Sequence, residues 1–316
     1  MTIHLLEELS TRGLDALDRA RTAVFLTVSP LEQHGPHLPV GVDAFTGRML
    51  AESLARRLVE TRPGWTAVLA PTLHLGSFAF QASGTVTVRQ RVLRAVVTDC
   101  GAALARAGFR WIFVANGHGG PGHLVALEEA SRAVSRRHGV TMASLTGSLV
   151  WSLIRGGYVE RLQAGLGRPL SAEERAALAD DSHGGLWETS VMLWLRPELV
   201  DESYRTLPGV RYSLLDKLRP NYPLRNGGQG YAGHPALADP ALARAAHDIV
   251  VADTYALVEG LLDGRLRGRA GHSPFYALPF LRTRFWPTAG LGALALLGLT
   301  WLGRRALRGS GRGGSP

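Results

Sequence analysis

Three segments of the chain combine histidine with carboxylate or glycine, and each lies beside a predicted strand or helix. In the first, Glu32 and His34 belong to the motif Glu-Gln-His-Gly-Pro-His, and Asp43 follows nine residues after His34. Carboxylate oxygens and imidazole nitrogens are the ligands that zinc and related divalent metals bind in proteins. The apolar run 23–28 precedes this motif and predicts a buried strand that ends at a metal-binding loop. The alternative is a polar surface loop that precedes a helix.

Two further segments have the same construction. A predicted strand over 110–115 leads into Asn-Gly-His-Gly-Gly, which contains His118. The flanking glycines permit close backbone approach and leave the imidazole uncrowded. His183 and Glu188 lie in the third segment, where a predicted apolar helix begins. Since open α/β sheets bind ligands at the carboxyl ends of their strands, we expect the three segments to form one site.

Together these motifs resemble the creatininase (creatinine amidohydrolase) family. The resemblance covers residues 20–240, with the motifs in the expected order. It implies an α/β fold of three layers, with a mostly parallel central sheet and helices on both faces. The alternation of predicted strands and helices agrees with this fold class. Strands are predicted at 23–28, 67–70, 110–115 and 140–145, and helices at 45–58, 90–107, 123–138 and 236–262.

The resemblance also implies a site for two divalent metal ions, with zinc or manganese expected and iron as a further choice. Asp43 would bridge the two ions. Glu32 and His118 would complete the coordination of one ion, while His34 and a second carboxylate would complete that of the other.

That second carboxylate is where the chain departs from its family. Creatininase has it just after the histidine of the Asn-Gly-His motif, whereas this chain has Gly120 there. We therefore assign the fifth ligand to Glu188, whose alternative role is that of an acidic residue favoured in the first turn of a helix. A metal-bound hydroxide would attack the amide carbon. His183 is the candidate that carries a proton to the leaving nitrogen, because imidazole titrates near neutral pH.

Three other side chains are candidates for the substrate pocket. Trp187 and Trp151 could form its walls, although core packing is an alternative for each. His74 could supply an imidazole that the family often has nearby, where this chain has Phe80-Gln81-Ala82. The alternative for His74 is a solvated loop residue.

The same departure leaves the substrate open between a small cyclic amide and a peptide. The first prediction is therefore a metal-dependent amidohydrolase. The second is a metallopeptidase like the relatives that trim a small peptide in mycofactocin maturation. A third is a non-catalytic, membrane-anchored member of the family, although loss of catalysis would give no physical reason to retain the metal ligands. We also expect a homo-oligomer.

Charge is distributed unevenly along the 316 residues. Residues 264–316 contain nine arginines and no acidic residue, and the remaining 26 basic residues balance the 26 acidic ones. A basic nucleic-acid-binding face on the body is therefore not expected. The single cysteine, Cys100, excludes an internal disulfide and fits a reducing compartment.

The predicted organisation is a hydrolase domain at 1–263, a basic linker at 264–285, a transmembrane anchor at 286–303 and an Arg/Gly-rich tail at 304–316. Residues 286–303 carry no charge, have tryptophan at or near both ends and are flanked by arginines. These features are typical of a short membrane-spanning helix. Residues 1–21 lack the pattern of a signal peptide and are predicted to form an amphipathic helix. We therefore expect a cytoplasmic catalytic domain held at the membrane.

Overall fold

Five parallel strands form the central sheet in the computed structural model, which describes residues 2–155, 158–285 and 288. The strands lie in the order β1-β3-β2-β4-β5, and β2 is at the centre. Their bounds are Thr2–Leu5 (β1), Thr22–Thr27 (β2), Thr66–Leu69 (β3), Trp111–Ala115 (β4) and Thr141–Ser144 (β5).

Helices cover both faces of this sheet. The helices of the described residues are Thr11–Asp15 (α1), Val42–Thr61 (α2), Gln90–Arg106 (α3), Pro121–His138 (α4), Gly147–Arg155 (α5), Tyr158–Leu166 (α6), Ala172–Asp180 (α7), Leu186–Leu195 (α8), Leu214–Lys217 (α9) and Pro240–Leu262 (α10), and α2, α3, α4 and α10 pack on the sheet. The predicted α/β class, the parallel sheet and the two helical layers are confirmed.

The alternation of side chains along each strand explains the three layers. Phe25 and Phe113 point to one face, where they pack with α2 and α10. Their neighbours Val24 and Ile112 point to the other face, where they pack with α3 and α4. Because strands buried on both faces must be apolar throughout, β2 and β4 are recognisable from the sequence as continuous apolar runs.

The connections around β2 create a crevice at the carboxyl edge of the sheet. From β2 the chain crosses through α2 to β3 on one side, and from β3 it crosses through α3 to β4 on the other. Loops that leave β2 and β4 therefore diverge, as at the ligand-binding crevice of other open α/β sheets. Ser29 and Asn116 tie the two loops together with a side-chain hydrogen bond of 3.1 Å.

The predicted amphipathic helix over residues 1–21 is wrong. Residues Thr2–Leu5 instead form the edge strand β1, paired with β3 from Thr2↔Thr66 to Leu5↔Leu69. Ser10 then caps a single short helix, α1. The spacing of apolar residues suited a helix, but pairing with β3 satisfies the backbone groups of residues 2–5 without one. The last helix also begins later than the predicted residue 236, because Asp239 caps it and Pro240 occupies its first turn.

Residues 264–285, predicted as a basic linker, lie against the body of the protein. They contain three 3₁₀ turns, and the backbone oxygen of Leu281 accepts a hydrogen bond of 2.7 Å from Gln90 of α3. Ser273 donates its backbone N–H to Glu128 of α4. Within the described part of the chain, no helix is both long and apolar enough to cross a membrane. The predicted anchor at 286–303 lies outside the described residues except for Thr288.

Candidate metal centre

The loop after β2 presents two side chains to the crevice. His34 is fully buried, and its Nδ1 lies 2.8 Å from the backbone oxygen of Glu32. Because Nδ1–H donates to that oxygen, Nε2 is the nitrogen available to a metal ion. Glu32 is also fully buried, and its Oε1 accepts a hydrogen bond of 2.5 Å from the backbone N–H of Phe80. Both ligand candidates are therefore held in orientation by backbone groups.

Asp43 and His118 meet because two backbone segments approach closely. Asp43 lies in the first turn of α2. A Cβ added at Gly117 would lie 2.3 Å from the backbone oxygen of Asp43, so only glycine fits between them. Asn116 shapes the same loop, accepting the His118 N–H at 2.9 Å and donating to the His118 oxygen at 2.6 Å. The Asn-Gly-His motif thus brings His118 against Asp43.

The third segment reaches the site through the start of α8. Asp181 accepts the backbone N–H groups of Leu186 and Trp187, both at 2.9 Å, and so caps a helix whose preceding residue is glycine. Burial is the main cause that raises the pKa of Asp181, to about 7. Glu188 lies in the first turn of α8 and accepts the Gly184 N–H at 2.5 Å.

These side chains form two overlapping groups that share Asp43. Glu32, Asp43 and His118 form one group, and His34, Asp43 and Glu188 form the other; within each group the candidate ligand atoms lie within 4.8 Å of one another. His118 Nδ1 is 3.1 Å from Glu32 and 3.3 Å from Asp43. His34 Nε2 is 3.5 Å from both Asp43 and Glu188.

Three buried polar atoms at the centre make no hydrogen bond, and their ion-pair contacts are only with the other candidate ligands: Glu32 Oε2, His34 Nε2 and Asp43 Oδ2. A buried polar atom without a partner costs roughly 1–3 kcal/mol, and more if it is charged. Atoms of this kind that converge from separate segments are what a cation-binding site requires. Their mixture of carboxylate and imidazole fits zinc or manganese.

The charges in this cluster depend on one another. Burial opposes the charge on His118, but the neighbouring Asp43 and Glu32 carboxylates outweigh it and raise its pKa to about 10. The pKa of His34 is likewise raised well above its ordinary value, because Glu188 and Asp43 outweigh its burial. Asp43 itself is buried, yet His118 and His34 hold its pKa below the ordinary range. Without metal, protons on the two imidazoles supply the positive charge that these carboxylates require.

His183 lies beside the cluster rather than within the two groups that share Asp43. Its ring stacks on that of His34 with 4.2 Å between centroids, and it forms a third group of potential ligands with Glu32 and His34. His183 Nε2 is 2.7 Å from the backbone oxygen of Gln33, so Nε2–H donates and Nδ1 can accept a proton. Burial, and then the charge on His34, lower the pKa of His183. The ring is therefore neutral at neutral pH.

The structure records the contacts and exposure of the three predicted pocket residues. Trp151 donates its indole N–H to the backbone oxygen of His272 at 3.1 Å. Trp187 packs with the apolar cluster around Leu162. His74 is exposed and belongs to none of the groups of potential metal ligands among the described residues. Proximity to a motif in the sequence does not determine which face of a helix or loop a side chain occupies.

Aromatic side chains that the sequence prediction missed cover the cluster instead. The Phe80 ring meets His183 edge-on at 4.7 Å and Tyr222 at 5.2 Å between centroids. Tyr222 hydroxyl lies 3.1 Å from Ser182 Oγ. Asp181 was missed as well. Asp181 lies five residues before the start of α8, and this position could have identified it as a helix cap. Nothing in the sequence connects Tyr222 with Phe80.

Gly120 is in direct contact with His118. A Cβ at this position would lie 2.4 Å from His118 Nε2 and 3.1 Å from Phe78 Cβ. No carboxylate side chain fits there without displacement of the imidazole. The departure from the creatininase pattern at residue 120 is therefore built into the packing of the loop.

The family model for creatininase, described as creatinine amidohydrolase, matches residues 7–258. The chain belongs to the creatininase family. It is therefore an amidohydrolase, a hydrolase of carbon–nitrogen bonds. It is 30% identical over 204 residues to the mycofactocin precursor peptide peptidase of Mycobacterium ulcerans (strain Agy99). This alignment covers 63% of this chain and 68% of that protein. It is also 28% identical over 188 residues to the creatinine amidohydrolase of Pseudomonas putida, covering 56% and 66% of the two chains.

Solved structures of creatininases have the same fold as this member of the family. One, named creatininase Mn, superposes with a TM-score of 0.61 at 22% identity and covers 82% of this chain and 98% of its own. A creatininase variant named as the Zn-Zn type gives a TM-score of 0.55 at 21% identity, covering 82% and 96%. Both comparisons show similarity of fold.

Proposed function

We propose that this creatininase-family chain hydrolyses an amide bond at a site for two divalent metal ions, zinc or manganese. The observation that supports this most directly is the pair of ligand groups that share Asp43, with unpartnered buried atoms at their centre. Glu32 and His118 would hold one ion, His34 and Glu188 the other, and Asp43 both. When bound, such ions lower the pKa of water and polarise a carbonyl group.

The residues of the chain supply orientation and proton transfer. Asp181 and the Gly184 N–H orient Glu188, and the Glu32 oxygen orients His34. His183 would receive a proton at Nδ1 and return it to the leaving nitrogen, while its Nε2–H keeps the ring fixed on Gln33. The lowered pKa of His183 suits this role, because its protonated form gives up the proton readily.

A peptide is the second candidate substrate. The relative from Mycobacterium ulcerans is named a peptidase, and the sequence around Phe80 departs from the pattern of creatininase proper. The first candidate remains a small cyclic amide. The same two-ion chemistry would hydrolyse either bond.

Metal analysis and a hydrolysis panel test the proposal. Full-length protein purified with added manganese or zinc should contain close to two ions per chain. It should hydrolyse at least one member of a panel of cyclic amides, creatinine and N-acetylated peptides, and chelation should abolish this activity. A protein that binds no ion would overturn the two-ion site. One that binds two ions but hydrolyses nothing would favour the non-catalytic alternative.

The organisation outside the site is also a proposal. We infer that residues 1–263 form the hydrolase domain, that 286–303 form a membrane anchor, that the domain lies in the cytoplasm and that the chain is a homo-oligomer. The absence of charge between residues 286 and 303 supports the anchor. Full-length protein should stay with membranes after carbonate extraction, whereas a chain ending at residue 285 should not. Size-exclusion chromatography with light scattering on the shorter chain would test its assembly.

A further inference from the structure

A cavity lies beside the loop of Phe80, which contacts the metal centre. It has a volume of about 450 Å³ and is lined by Gln81, Pro220, Asn221, Leu224 and Arg225. Two loops form it: the loop after β3 contributes Gln81, and the loop after α9 contributes the other residues. None of these residues belongs to the candidate metal site.

One aromatic pair separates this cavity from the metal centre. Phe80 and Tyr222 each adjoin a residue that lines the cavity, and their rings contact each other. On its other side Phe80 contacts His183, and its backbone N–H is bonded to Glu32. Two ring-to-ring steps, 4.7 Å from His183 to Phe80 and 5.2 Å from Phe80 to Tyr222, lie between the metal centre and the loop that lines the cavity. A molecule that occupies both places must therefore be extended.

Two of the side chains that line the cavity, Asn221 and Arg225, offer hydrogen-bond donors. Asn221 accepts the Gln81 backbone N–H at 2.9 Å with its Oδ1, which leaves the two hydrogens of its Nδ2 for a ligand. Among the described residues, no carboxylate lies within 4.0 Å of the Arg225 guanidinium. Two other arginines near it in sequence, Arg211 and Arg219, are paired with Asp180 and Asp216. An unpaired guanidinium beside an amide donor is a group that binds carboxylates.

Backbone strain is concentrated in the same two loops. Three non-glycine residues in the described chain have positive φ: Phe78 at 62°, Asn221 at 54° and Asn226 at 55°. Phe78 belongs to the loop of Gln81, and the two asparagines bracket Tyr222 and Arg225. Such conformations persist when the surrounding structure enforces them, and they occur often at ligand-binding sites. The backbone of residues 222–225 is thus bounded on both sides by residues in the left-handed conformation.

We propose that this cavity binds a free carboxylate of the substrate through Arg225 and Asn221, with Leu224 and Pro220 against an adjoining apolar group. The proposal rests on the proposed amide hydrolysis and narrows its substrate class. The preferred substrate is an extended amide that carries a carboxylate away from the bond that is cleaved. A compact neutral cyclic amide would leave the cavity unused.

Binding of a matched pair of probes tests this assignment independently of hydrolysis. N-acetyl-L-leucine and N-acetyl-L-leucinamide differ only in the carboxylate, and both can be titrated into the full-length protein by calorimetry. The acid should bind about tenfold or more tightly than the amide, the scale expected for a charge-assisted hydrogen bond. Arg225→Gln should reduce binding of the acid to the level of the amide, and Arg225→Lys should restore part of the difference.

Arg106→Gln is the matched control, because it removes the same charge at the last turn of α3, at the opposite edge of the sheet. It should leave both affinities unchanged. Equal binding of acid and amide by the native protein would overturn the proposal. So would undiminished binding of the acid by Arg225→Gln, since the acid would then be held by the metal ions or elsewhere.

Kinetics separate this inference from the proposed function. For peptides hydrolysed in the panel, Arg225→Gln should raise KM about tenfold for the free acid, leave kcat within about twofold and leave the C-terminal amide unaffected. A panel without any hydrolysis would count against the proposed function, while the calorimetric comparison would still decide the cavity. Equal effects of the substitution on acid and amide substrates would overturn the carboxylate assignment alone.

Discussion

Metal binding should displace about two protons per chain from histidine side chains at pH 7. His118 has a pKa raised to about 10, and the pKa of His34 is also raised well above its ordinary value. Both imidazoles are therefore protonated in the metal-free protein at neutral pH. A metal ion binds only the neutral ring, so each ion that uses one of these nitrogens must displace a proton.

The magnitude follows from the difference between pKa and pH. For His118 that difference is about three units at pH 7, which corresponds to about 4 kcal/mol of apparent affinity. Below pH 10 the apparent association constant should rise about tenfold per pH unit for each proton released. With both imidazoles displaced together, the product of the two constants should rise about a hundredfold per unit.

Calorimetry can count these protons directly. Manganese is titrated into chelator-treated full-length protein at one pH in buffers with different enthalpies of ionisation, and the slope of the observed heat against that enthalpy gives the number released. The two histidines should account for two of the protons released by the native protein, so His118→Asn should release about one fewer. As a control, His4→Asn changes a half-buried histidine of the edge strand, outside the groups of potential metal ligands, and should leave the number of protons unchanged. A slope near zero in the native protein would refute the protonated cluster.

Three other substitutions should have distinct effects. Asp43→Asn should lower the metal content from about two ions per chain to one or none; an unchanged content by mass spectrometry would contradict the shared ligand. His183→Ala should retain its metal and lose at least ~100-fold in hydrolysis rate, the usual scale of proton-transfer catalysis, and loss of the metal would identify His183 as a ligand instead. Burial raises the pKa of Glu128 to about 7 from an ordinary 4.5. The Glu128 carboxyl therefore binds its proton more tightly in the folded than in the unfolded protein, and the folded protein loses stability as the pH rises from 4.5 to 7. Glu128→Gln should therefore gain up to about 3 kcal/mol of unfolding free energy at pH 8 and little at pH 4.5, and an equal gain at both pH values in urea titrations would exclude this cause.

The central strands were predictable because burial on both faces leaves a direct trace in the sequence. Residues 23–28 and 111–115 are apolar apart from Thr27, and short runs of this kind are typical of buried strands. The edge strand β1 left no comparable trace, because only part of its surface is buried and its pairing partner lies sixty residues away. Local spacing there favoured a helix until tertiary pairing decided otherwise.

At the metal centre the residue types were easier to predict than their neighbours. Glu32, His34 and Asp43 lie within one loop and one helical turn, so their spacing limits where they can point. Glu188 approaches His34 across more than 150 residues, and its contribution depends on how α8 is capped by Asp181. The aromatic cover could not be predicted, because Trp151, Trp187 and Tyr222 are chemically similar and only the folded chain distinguishes them.

Gly120 has a consequence for how such chains are recognised. A carboxylate introduced there alone would collide with His118, so one substitution cannot convert this arrangement into that of creatininase proper. At least one compensating change, at Phe78 or in the loop itself, would have to accompany it. In the proposed site the acidic ligand lies at the start of α8 instead of the loop after β4, and the need for more than one substitution is an evolutionary barrier between the two arrangements. A sequence pattern that requires acid just after this histidine would overlook every chain on this side of the barrier.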